Sequence, residues 1–311
     1  MYNYDEMPEM TGFHKLEIEK VCRISTMLEK MMDVSFLKER LSLIGGTAIN
    51  FIYTKPLARL SVDLDFNYHH IDEEDWGEIR TRIDQVIKQI LHTQGYTNDD
   101  IKIDSSYPLG RMVVHYRNSV GNIDSFQIEI GYMRRFPLLR SDTFADFNHI
   151  CKNDTFKIKT PLKEELFANK WCTFLKRRTA RDLYDVYTIT KQDFDIDVFR
   201  KCAVVESILM GKPKLTEIDI NDLIQKSLYS NNLTRMVNLE NDLDYQTIKK
   251  EVLDFTKIII GQLKENEIKM IDTFYIQGNF DPDLIDDDGI FNEKLKDHPI
   301  IKWKHLKSNL K

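Results

Sequence analysis

Two aspartates one residue apart are the first candidates for chemistry. In LSLIGGTAINFIYTKPLARLSVDLDF, residues 41–66, Asp63 and Asp65 alternate with Val62, Leu64 and Phe66. Side chains along an extended strand point to opposite faces in turn. The apolar three therefore face a core, and Ser61, Asp63 and Asp65 share the other face. Paired carboxylates on a rigid strand repel each other unless a cation lies between them. Hard oxygen donors at that separation suit Mg2+, with Mn2+ the alternative. Upstream, Gly45-Gly46-Thr47 follows the short apolar run Leu41, Leu43, Ile44. Two glycines permit a tight turn and a close approach to the backbone. Thr47 is suited to cap the element that follows, whose first N–H groups are open to an anion. The expected order is strand, glycine turn, short helix ended before Pro56, loop, strand. An Asp-x-Asp alone is better read as a solvated strand face; the combination places a phosphate cradle beside an acidic pair.

Two later stretches add charge. The strand expected over 125–133 sets Glu129 between Ile128 and Ile130. Burying a lone carboxylate is costly. On spacing alone a third metal-facing acid and an acid on a solvated face stand level. Arg134, Arg135 and Arg140 follow, as phosphate contacts or ordinary surface arginines. Residues 159–189 are expected to be helical, with Thr160 as N-cap and Pro161 first in the helix. Lys170 and Arg177 are two turns apart and share a face, and Arg181 joins them if the helix continues. From Lys170 to Arg181, both included, there are five basic residues and no acid; a solvated basic helix is the plainer alternative.

These groups need a scaffold. Apolar positions recur at helical spacing from His14 to Met32 and from Trp76 to Gly95. A short helix is expected over 36–41. Ile101–Ile103 has the pattern of a strand, and 111–117 with 125–133 that of a hairpin around 118–122. Stripes over 198–210, 218–228 and 245–260 predict helices. The architecture expected is α/β (α+β): a catalytic core with a mixed sheet over 1–158, then a helical domain over 159–311. His69-His70, just past the acidic pair, is expected in a solvent-exposed loop, with a metal role as the alternative. The acids between Asp281 and Asp288 miss the calcium-loop register, because Leu284 stands where the first aspartate belongs. The tail from Lys302, with Trp303, is basic: it touches RNA or docks on the fold.

Composition narrows the class. Of 311 residues 42% are hydrophobic, ample for a core, and the formal net charge of -6 does not advertise nucleic-acid binding, so any such site is a local patch. Cys22, Cys151, Cys172 and Cys202 are scattered, which suggests reduced thiols in a cytoplasmic protein. No apolar run approaches a membrane span, and the N-terminus does not have the pattern of a signal peptide.

The motifs Gly45-Gly46-Thr47-Ala48 and Arg59-x-Ser61-x-Asp63-x-Asp65 resemble the first motif of the AbiEii/AbiGii abortive-infection toxins, within the polymerase β-like nucleotidyltransferase superfamily. Ala168-x-Lys170, then Arg177-x-x-x-Arg181-Asp182-x-x-Asp185, resembles a later motif of the same family. The resemblance covers about residues 36–190. It implies a polymerase β-like core and transfer of a nucleotidyl group from an NTP to an RNA acceptor, a tRNA 3′ end foremost. Transfer to a protein or small-molecule hydroxyl is the alternative. It implies Asp63, Asp65 and Glu129 as ligands of two Mg2+, although relatives often have Asp at the third position. Gly45, Gly46, Thr47, Ser61, Lys170, Arg177 and Arg181 become the nucleotide-binding set. Lys170 and Asp182 join the catalytic one, with Asp182 positioning the lysine or the arginines and Asp185 in a structural ion pair. It further implies a toxin of a phage-defence system, monomeric when free and restrained by a separately encoded antitoxin. In some relatives the serine at the position of Ser61 is phosphorylated.

Overall fold

The computed structural model describes residues 3–71, 75–106, 108–220, 222–223, 231–239 and 244–308. The chain divides into two compact units. One comprises Met1–Phe136, Thr143–Thr160 and Arg235–Asn241; the other comprises Pro137–Asp142, Pro161–Thr234 and Asp242–Lys311.

The first unit is built on a five-stranded mixed sheet of β1 (Leu41–Ile44), β2 (Asp63–Tyr68), β3 (Ile101–Ile103), β4 (Leu109–Arg117) and β5 (Ile123–Gly131), in the order β1-β2-β5-β4-β3. Only β2 and β5 run parallel; the other neighbours are antiparallel. One face is apolar: Leu64, Phe66, Ile128, Ile130, Met112 and Val114 are all buried. Helix α1 (Lys15–Met32) packs on this sheet through Ile18, Val21, Ile24, Met27, Leu28 and Met31, a stripe at helical spacing that is fully buried. Helix α2 (Trp76–Thr93) packs against α1. Asp75 caps α2 through the Gly77 and Glu78 amides.

Several local expectations change. The element after β1 begins at Gly45 itself, as a helical turn over Gly45–Ala48 that continues as a π-helical turn over Ile49–Tyr53. Thr47 is not its cap. A second sheet, β6 (Thr143–His149) paired with β7 (Asp154–Thr160), was not signalled by periodicity, because only its last positions are buried. The Thr160 hydroxyl donates to the Leu43 carbonyl (2.8 Å), so Thr160 ends a strand rather than starting a helix. Cys22 and Cys151 form a disulfide, where four free thiols were expected; only Cys172 and Cys202 are free. Packing of α1 against the β6–β7 hairpin brings their Cα atoms to 5.6 Å, within disulfide range. His69 is buried, and His70 Nδ1 lies 2.8 Å from the Tyr68 hydroxyl, so neither is an exposed loop histidine.

The second unit is helical among its described residues: α3 (Lys163–Arg177), α4 (Ala180–Ile189), α5 (Ile196–Met210), α6 (Tyr245–Gly261), α7 (Glu265–Gln277) and α8 (Pro299–Ser308), with short 3-10 turns. Its centre holds the fully buried Trp171, whose indole N–H donates to Thr256 Oγ1 (3.1 Å). The buried Arg200–Glu267 pair (2.9 Å) ties α5 to α7. The helix expected over 159–189 is broken. Arg178 adopts a left-handed conformation (φ 57°), ending α3, and the Thr179 hydroxyl caps α4 at the Asp182 amide. The acidic loop is held by ordinary contacts: Asp286 accepts from the Ile290 and Phe291 amides, and Asp288 pairs with Lys201. Of the helix expected over 218–228, residues 221 and 224–228 lie outside the described residues, as do 309–311 of the basic tail.

Candidate active site

In the first unit the acids lie on the face of the sheet opposite the core. The register pairs Asp65 with Glu129 and Asp63 with Gln127 across β2 and β5, so all four share that half-buried face. Leu64 and Ile128, one residue along, are buried beneath. On the other side of β2, Ile44 pairs with Asp65, and the turn at Gly45 follows directly. Gly45 has φ +75°, and a Cβ there would lie 2.7 Å from Asp65 Oδ2. The glycine is therefore demanded twice, by backbone conformation and by the carboxylate beside it.

Gly46 and Thr47 are buried. Thr47 Oγ1 hydrogen-bonds the Asp63 carbonyl and lies 3.0 Å from the buried Ser61 Oγ, so its hydroxyl fastens the turn to β2. The backbone of Arg59 bridges to Val237, and the Leu60 amide donates to the Met236 carbonyl. The loop before the acids is thus anchored by a segment far along the chain.

Arg111 and Gln127 also stand on the acid face, and no sequence signal singled them out beyond strand alternation. Arg111 is the cross-strand partner of Glu129 on β4. Its Nε and Nη2 donate to Gln127 Oε1 (3.1 and 2.8 Å), and Nε lies 3.4 Å from Glu129 Oε1. Glu129 is thereby drawn toward β4, while the Asp65 carboxylate lies against Gly45 on the β1 side. Among the described residues no three His, Cys, Asp or Glu side chains are arranged to hold a metal ion.

The second unit gathers the later motif, and the break at Arg178 makes this possible. Reversal of the chain there lets α4 bring Asp182 and Asp185 to Lys170 on α3, at 3.0 and 2.8 Å from its Nζ. The three side chains are 11%, 5% and 0% exposed for Lys170, Asp182 and Asp185, so this is an interior triad. Burial pushes the Asp182 carboxyl up. The Lys170 charge, the Thr179 hydroxyl (2.7 Å) and Arg177 outweigh that and hold it below the usual carboxylate range. Arg177, largely exposed, reaches Asp182 at 3.6 Å. Arg181 lies on α4, not on the Lys170 helix, and makes no hydrogen bond or ion pair among the described residues. The ion pairing expected of Asp185 is with Lys170, and it is the more buried of the two contacts. Arg135 stacks over Trp76, and Arg140 lies beside Gly289.

Residues 26–261 match the family described as nucleotidyl transferase AbiEii toxin, type IV TA system. The chain belongs to the AbiEii toxin family. Its members are nucleotidyltransferase toxins of type IV toxin–antitoxin systems, so nucleotidyl transfer is the activity of the family and an antitoxin its partner. The fold is also similar to that of MenT4, a nucleotidyltransferase toxin from Mycobacterium tuberculosis H37Rv. That match has TM-score 0.57 and 15% identity, over 81% of this chain and 87% of MenT4. An antigenic nucleotidyltransferase-like protein from Paracoccidioides brasiliensis aligns at TM-score 0.37 and 13% identity, over 69% of this chain and 96% of its own. No curated protein matches the chain. Among the described residues no helix is long and apolar enough to cross a membrane.

The resemblance drawn from the sequence motifs implies a divalent cation. The donor set fits one: Asp63 and Asp65 are hard oxygen donors at alternate strand positions, beside a turn where any Cβ would meet Asp65.

Proposed function

We propose that the protein transfers a nucleotidyl group from an NTP to a hydroxyl of an RNA, the 3′ end of a tRNA by the family resemblance, with release of pyrophosphate. The observation that carries this reading is the sharing of one sheet face by Asp63, Asp65 and Glu129 beside the Gly45 turn. Mg2+, or Mn2+ in its place, would be held by Asp63 and Asp65 with Glu129 as the third acid. It would supply Lewis-acid stabilisation of the phosphoryl oxygens and a more acidic acceptor hydroxyl.

Phosphoryl transfer asks little covalent chemistry of a protein and much positioning. Asp63 and Asp65 are fixed by a strand whose alternate residues are core, and Thr47 fastens that strand to the turn. Arg177 and Arg181 are the arginines that the family resemblance assigns to the nucleotide. Lys170 holds α3 and α4 together through Asp182 and Asp185. A phosphate on Ser61 would set like charge beside Asp63 and Asp65 and oppose binding of a triphosphate. The protein would act in the cytoplasm as a free monomer until its antitoxin restrains it.

The test is transfer of label from each α-labelled NTP, with Mg2+, to purified tRNA or to protein extract. Label on tRNA alone supports the reading. Label on protein alone refutes the RNA acceptor and leaves the alternative of a protein hydroxyl.

A further inference from the structure

Glu129 stands between two neighbours of opposite charge. Across β2 its partner is Asp65; across β4 its partner is Arg111. It leans to the second, with Glu129 Oε1 3.4 Å from Arg111 Nε, while the Asp65 carboxylate lies against Gly45. The guanidinium is seated independently of this pairing. It donates twice to Gln127 Oε1, at 3.1 and 2.8 Å, and its Nη1 lies 3.8 Å from Asp104 Oδ2. The fork of an arginine is planar and permanently charged, so it seats a cation on the acid face. Both Arg111 and Glu129 are about one-third exposed, at 35% and 32%, so the pair is reachable from solvent and of modest strength.

We propose that Arg111 is a built-in counter-ion for Glu129: it holds the third acid away from Asp63 and Asp65 until an anionic triphosphate draws the guanidinium off and releases Glu129 to the divalent cation. Arg111 acts through Glu129 and is thus a positioning residue. This rests on the reading that the acids hold a metal. It adds that the cation site is incomplete without nucleotide and that Arg111 sets this order. The physical basis is competition for one carboxylate. A partly exposed ion pair competes only modestly for the carboxylate, and a divalent ion beside the guanidinium also meets like charge. Removing the arginine should therefore tighten cation binding on the order of tenfold.

The probe is Mn2+, followed by electron paramagnetic resonance on the full-length protein, with and without a non-hydrolysable NTP analogue. Without nucleotide, Arg111→Met should bind Mn2+ on the order of tenfold more tightly than the wild type, and Glu129→Gln in that background should abolish the gain. Glu129→Gln alone, which keeps Arg111 and its seat on Gln127, serves as the independent variant should Arg111→Met fold poorly. It should leave Mn2+ affinity nearly unchanged without nucleotide and weaken it severalfold with the analogue. The proposal is overturned if Arg111→Met leaves affinity unchanged, if its gain survives Glu129→Gln, or if Glu129→Gln weakens binding equally with and without the analogue. A separate failure is recognisable: if Asp63→Asn and Asp65→Asn also leave Mn2+ binding unchanged, the acids hold no metal and the underlying reading falls with it.

Discussion

Replacing Lys170 with methionine probes the interior triad of the second unit. Its Nζ lies 2.8 Å from Asp185 Oδ2 and 3.0 Å from Asp182 Oδ1, with all three side chains nearly buried. At an effective dielectric of about 20, each contact is worth roughly 6 kcal/mol of gross Coulomb attraction, offset by several kcal/mol of lost hydration per ion. Methionine keeps the length of the side chain and removes the charge, leaving two buried carboxylates without their cation. Loss of one partner from such a site costs about 3–5 kcal/mol, which for a chain of this size is a fall in Tm on the order of 10 °C. Asp185→Asn in the same background should recover a large part of that loss. The sign with pH follows from Asp182, whose folded pKa lies below its ordinary 3.8. In the wild type its contribution is present above that ordinary value and lost as pH falls through the folded one. In Lys170→Met the advantage is gone, and the deficit relative to wild type should shrink from pH 7 toward pH 4 as the buried acids take up protons. Urea unfolding followed by circular dichroism at pH 7 and pH 4 reads both effects. A loss below about 1 kcal/mol, or a double variant no more stable than the single one, would refute the assignment of the triad as a buried, charge-balanced unit.

Two further outcomes follow. Gly45→Ala must place a Cβ 2.7 Å from Asp65 Oδ2 at φ +75°. It should lose about 1–2 kcal/mol from the backbone alone and on the order of 100-fold in kcat through displacement of Asp65; a fully active Gly45→Ala would contradict the role of the turn. Burial, together with the charge of Asp142, pushes the Glu165 carboxyl up to about 8. With its folded pKa raised above its unfolded value, it favours folding below about 4.5, and that contribution is lost as pH rises through about 8. Wild-type stability should thus fall by a few kcal/mol between pH 5 and pH 9, and Glu165→Gln should flatten the profile of urea midpoints.

The shared face of Asp63, Asp65 and Glu129 was legible because strand alternation is local. Leu64 and Phe66 between Asp63 and Asp65, and Ile128 and Ile130 around Glu129, fix which side chains share a face, and the structure keeps that alternation. The helical stripe of α1 and the hairpin of β4 and β5 were visible for the same reason. What sequence could not show depends on neighbours distant in the chain. Nothing near Arg178 marks a break, since an arginine rather than a glycine takes the left-handed conformation, yet that break brings Asp182 and Asp185 to Lys170. Val237 bridging to Arg59, and Cys22 bonding to Cys151, likewise have no local signature. Arg111 is an ordinary strand arginine until the register sets it opposite Glu129.

The most direct measurement is nucleotide transfer by wild type and Asp65→Asn side by side, with α-labelled NTP, Mg2+ and purified tRNA, after circular dichroism has shown the two to be equally folded. The account predicts label at the RNA 3′ end with the wild type and a loss of several orders of magnitude with the variant. Equal labelling by both would show that the paired aspartates do not perform the chemistry.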